Sequence, residues 1–135
     1  MKKLLFVSTL LLCTLISYSQ NNSDKPITVL NTNKMSASGM VASSKYNFKI
    51  YNDSLIMEYI GGMGYNKAVK KGLPLKTIHK IKCKVEALGN INSYLYQNEK
   101  ISIRITQDNT KVSVLFRTKD NFSGQVTEIL YYTGL

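Results

Sequence analysis

The sequence predicts a mainly β domain, an antiparallel meander sheet or small bent barrel finished by a C-terminal helix. Three observations predict it. From Lys45 onward apolar and polar residues alternate with period two, as in Tyr46-Asn47-Phe48-Lys49-Ile50. Short pairs containing Asn, Asp or Gly interrupt that alternation where hairpin turns are needed. Near the end the spacing changes, and Phe122, Val126, Ile129 and Leu130 fall on one face of a helix, with Asp120 as N-cap and Gly134 closing it.

Residues 1–19 read as a cleavable export signal. Lys2 and Lys3 form a positive start, and Leu4 to Ile16 is an apolar run of 13 residues. That run is shorter than the roughly 20 residues needed to span a bilayer core. Ser17 and Ser19 give the small side chains at −3 and −1 that a signal peptidase accepts, which places cleavage after Ser19. The expected destination is the periplasm or the cell exterior, in a bacterial envelope, with no transmembrane segment after cleavage. Cleavage also changes the chemistry. Cys13 leaves, so Cys83 has no partner for an intramolecular disulfide. Loss of Lys2 and Lys3 lowers the formal charge from +10 to +8.

Residues 20–44 are polar and rich in Ser, Asn and Thr, and read as a flexible N-terminal arm with one β-prone run at Ile27–Leu30. The single antiparallel domain is then residues 45–135. Its first hairpin turns at Asn52-Asp53, which pairs Ile50 with Leu55, Phe48 with Met57 and Tyr46 with Tyr59. All six side chains fall on one face, as a half-buried pair requires. The same test with Asn98-Glu99 as the loop sets Tyr96 opposite Ile101 and Tyr94 opposite Ile103. With Asp108-Asn109 it sets Ile105 opposite Val112, Ile103 opposite Val114 and Ile101 opposite Phe116.

Residues 75–88 support two readings. A helix would align Leu75, Ile78, Ile81, Val85 and Leu88, with Pro74 before it and Gly89 after it, giving an α+β alternative with a second helix at about 74–88. A strand would alternate Ile81, Cys83 and Val85 against Lys80, Lys82 and Lys84. Register favours the strand, because a Gly89-Asn90 turn pairs Val85 with Tyr94 and Cys83 with Tyr96.

This order resembles the pleckstrin-homology/GRAM-like superfold over about Lys45 to Tyr132. The pieces that carry the resemblance are YNFKIYNDSLIMEY, LPLKTIHKIK and KISIRITQDNTKVSVLFRTKD, followed by the helix. It implies a bent sheet plugged at one end by that helix. Relatives that bind phosphoinositides use an extended basic loop between their first two strands. Here the equivalent connection is the tight Asn52-Asp53 turn, so that activity does not carry over.

The residues give no enzymatic pattern. His79 and Cys83 would be neighbours on a helix but lie roughly 13 Å apart along a strand. No pair of ligands has a usual metal spacing, and no cofactor motif is present; Gly61-Gly62-Met63-Gly64 lacks both the third glycine of a dinucleotide loop and a following Gly-Lys-Ser/Thr. The expectation is a non-enzymatic binding or interaction module. The basic residues are the candidates for it: Lys67, Lys70 and Lys71 beside the glycine loop, Lys80, Lys82 and Lys84 on the outward face, and Arg104 on a later strand. Backbone amides with convergent lysines hold anions. A solvated lysine face that discourages edge pairing accounts for the same residues without a ligand. Sixteen of the eighteen basic residues are Lys, which suits diffuse attraction to an anionic envelope component or protein partner better than nucleic-acid readout. The alternative function is a small β-barrel carrying an apolar ligand inside.

Overall fold

The computed structural model describes residues 25–134, so the export signal expected at residues 1–19 lies outside it. The described chain forms β1 (Thr28–Ala37), β2 (Met40–Ile50), β3 (Leu55–Gly62), α1 (Tyr65–Lys70), β4 (Lys76–His79), β5 (Cys83–Leu88), β6 (Ile91–Gln97), β7 (Ile101–Asp108), β8 (Lys111–Lys119) and β9 (Val126–Tyr132). All nine strands join one antiparallel sheet in the order β4-β3-β2-β1-β9-β8-β7-β6-β5.

That order forces the sheet to curl. β4 and β5 are its two edges, yet only Lys80, Ile81 and Lys82 separate them in sequence. Nine flat strands would hold the edges about 38 Å apart. The four backbone steps from His79 to Cys83 span at most about 14 Å. The result is a curled half-barrel. Its corner is pinned where the Cys83 N–H donates to the Asn52 carbonyl (2.7 Å). The Tyr96 hydroxyl is shared between the carbonyls of Tyr51 (2.7 Å) and Ser54 (3.0 Å).

The concave face carries the core. Phe48, Ile50, Leu55, Tyr96, Ile103, Ile105 and Val114 are fully buried there, with Leu30, Met57, Tyr94, Val112 and Tyr131 around them. Two of the expected registers are observed residue for residue: Ile50↔Leu55, Phe48↔Met57 and Tyr46↔Tyr59, and Cys83↔Tyr96 with Val85↔Tyr94. The other two are displaced by two residues. Tyr96 faces Ile103, and Ile103 in turn faces Phe116, with the turn at Asn109-Thr110. A shift of two leaves every side chain on its expected face. The cause of the first shift is local: the Asn98 carboxamide accepts from the amides of Lys100 (2.9 Å) and Ile101 (2.8 Å), holding those residues in the turn.

Three expectations are corrected. The C-terminal helix is replaced by β9, which pairs with β8 along its length and with β1 over Ile129–Tyr132. Its sequence, VTEILYY, is rich in β-branched and aromatic residues that pack on a pleated surface. Asp120 does cap, but it caps a turn: its side chain accepts from Phe122 N–H and the Ser123 hydroxyl. The segment read as a flexible arm supplies β1 and the start of β2, in the middle of the sheet. Ser38 and Gly39, with φ of 51° and 78°, make the tight turn between them. Finally, the helix alternative at 74–88 gives way to two strands, and the helix that forms among the described residues is α1, which starts directly after Gly64 of the glycine loop.

Candidate anion-binding surface

The glycine loop does not form an open amide cradle. Gly61 and Gly62 complete β3, and Gly64 (φ 83°) precedes α1. The Met63 N–H is taken by the Ser43 carbonyl and the Ala68 N–H by that of Gly64. The ring of Tyr65 packs edge-on against Tyr59 (5.4 Å), and the Tyr59 hydroxyl donates to the Met63 carbonyl. Lys67 and Lys70 lie in the last turn of α1 and Lys71 is its C-cap, where cations complement the carbonyl end of a helix. All three are exposed.

Lys80 and Lys82 flank Ile81 in the connection that crosses from one sheet edge to the other. Ile81 packs against the core while both lysines stay exposed, so the anchor presents them to solvent. Lys84 and Arg104 sit on the convex face of the other half of the sheet. Lys84 opposes Leu95, and Leu95 opposes Arg104, which puts the three in one cross-strand row. Lys84 is ion-paired with Glu86 (3.4 Å). The structure thus brings Lys84 and Arg104 onto one face. It sets Lys67, Lys70 and Lys71 apart, on the α1 segment that follows β3.

Between Tyr65 and Val85 the chain carries seven lysines and no carboxylate. Of these, Lys67, Lys70, Lys71, Lys76, Lys80 and Lys82 form no ion pair among the described residues. They follow one another along the chain from α1 through the edge strand β4 to the corner, a strip of one sign in the sequence. Arg117, by contrast, is paired with Glu128 (2.7 Å).

His79 and Cys83 occupy different edge strands. His79 opposes Leu55 on β4, with its ring 5.3 Å from that of Phe116. Burial lowers its pKa. Burial raises that of the Cys83 thiol, only partly offset by a hydrogen bond with Tyr96. Both groups are held in their neutral forms, and a neutral thiol is a poor nucleophile. No group of three metal-ligating side chains occurs among the described residues. A recess of about 570 Å³ opens between the β1–β2 turn and the start of β9; its one carboxylate, Glu128, is already paired. The concavity a ligand carrier would use is filled by Phe48, Tyr96 and their neighbours.

No protein-family model, curated protein or solved structure compared with the chain matches it.

Proposed function

We propose that this protein is an exported, non-enzymatic interaction module of a bacterial envelope, and that it engages an anionic partner through the Lys67–Lys82 strip. One observation carries the reading: seven lysines in succession with no intervening carboxylate, six of them outside any ion pair among the described residues. A one-sign strip leaves its field unneutralised and attracts anions at a distance. Lys84 and Arg104 extend the attraction onto the convex face.

The test is capture from an envelope extract by residues 20–135 at low and high ionic strength. Raising salt from about 0.1 M to about 1 M shortens the screening length from about 10 Å to about 3 Å. Anionic material should be retained at the lower salt and released at the higher, and the Lys67→Ala/Lys70→Ala/Lys71→Ala variant should retain little at either. Undiminished capture by that variant would show that the strip is not the binding element.

A further inference from the structure

The convex face of β1–β4 combines exposed aliphatic side chains with lysines. Val29 opposes Lys49, Lys49 opposes Ile56, and Ile56 opposes Ile78, so one row crosses four strands on the same face. Ile27 precedes Val29 by two residues, and Ile60 lies beside Lys45 and Asn31 on that side of the sheet. Ile27, Val29, Ile60 and Ile78 are 43%, 44%, 47% and 51% exposed. The outward face of an antiparallel sheet is ordinarily polar, and a contiguous aliphatic patch marks a contact surface. The core is already filled on the other face, so these side chains are surplus to folding.

Charge selects the occupant. Glu58 is neutralised by Lys49 (3.2 Å), which leaves Lys34, Lys45 and Lys76 as the face's unpaired charges among the described residues. A second copy placed face to face would bring two sets of unpaired lysines together with no unpaired carboxylate of that face to meet them. An anionic bilayer would meet both features at once, with lysines at the headgroups and aliphatic side chains at the acyl boundary. We propose that the β1–β4 face docks on an anionic lipid bilayer. This rests on the anionic-partner reading and names the bilayer as that partner.

The test is co-sedimentation of residues 20–135, which hold the whole described sheet and its core, with two kinds of vesicle. One is phosphatidylcholine alone; the other is phosphatidylcholine with phosphatidylglycerol. Binding is expected only to the second. The Ile60→Ser/Ile78→Ser variant changes exposed positions only, and should bind about ten-fold more weakly or worse, from the aliphatic area it forfeits. Phe122→Ser removes a fully exposed ring in the β8–β9 turn and should bind as the parent does. Parent-like binding by the double variant would overturn the proposal, as would a dimer that this variant dissociates. Retention on an immobilised sulfated polysaccharide without vesicle binding would overturn the bilayer and leave the lysine strip standing. Loss of both would overturn the strip as well.

Discussion

Thr32 is 3% exposed, and its hydroxyl finds no hydrogen-bond partner among the described residues. A buried hydroxyl without a partner costs free energy that a methyl group of the same shape does not. Thr32→Val should therefore stabilise the protein by about 1 kcal/mol, raising the midpoint of urea unfolding; a lowered midpoint would mean the hydroxyl is satisfied in solution. The tyrosines make a second residue-scale prediction. Burial, reinforced by Tyr59 for Tyr46 and by Tyr46 for Tyr131, raises the pKa of both, and burial followed by Cys83 raises that of Tyr96. In the unfolded chain these phenols ionise near pH 10. Above that pH the unfolded state gives up protons that the native state keeps, so stability falls as pH rises. The ultraviolet phenolate signal of these three should appear together with loss of sheet circular dichroism. A single phenolate transition completed while the sheet is intact would refute the assignment.

At the scale of elements, the turn chemistry carried most of the legible information. Asn52-Asp53 and Gly89-Asn90 pinned their hairpins, and parity put Phe48, Tyr96 and Ile105 on the buried face even where the register slipped by two residues. β1 was illegible for a physical reason. Its inward residues change from Thr32 to Met35 across an irregularity in the β1–β2 register, so no period of two survives in the sequence. β9 was misread because apolar residues at 126, 129 and 130 satisfy helical spacing, while its pairing with β8 crosses the six-residue turn at 120–125 and its other partner, β1, lies far away in the chain. Gly62 lies just beyond another such irregularity, between Lys45 and Tyr46 in the β2–β3 register. It holds φ of 100°, and a Cβ there would collide with the Ser43 carbonyl. Gly62→Ala should cost about 1–3 kcal/mol, read as a lower thermal midpoint. An unchanged midpoint would mean that the β2–β3 end is looser than described.

For the whole molecule, curling puts the basic residues in two regions that the sequence presents as one list. The connection from Lys80 to Lys82 joins the sheet's edges, so α1, β4 and the corner form one cationic border while Lys84 and Arg104 lie on the opposite half. The lysines were legible as candidates; their division was not, because it depends on β4 pairing with β3 and β5 with β6. The aliphatic face of β1–β4 was hidden for the same reason, since Val29, Ile56 and Ile78 become neighbours only through that pairing. The central claim, that the strip and not net charge does the binding, is tested most directly by two variants that each lose three lysines. Lys67→Ala/Lys70→Ala/Lys71→Ala removes charge from the strip, and Lys100→Ala/Lys111→Ala/Lys119→Ala removes the same charge from exposed positions elsewhere. On an immobilised sulfated polysaccharide the strip variant should elute at markedly lower salt than the other; equal elution of the two would contradict the account.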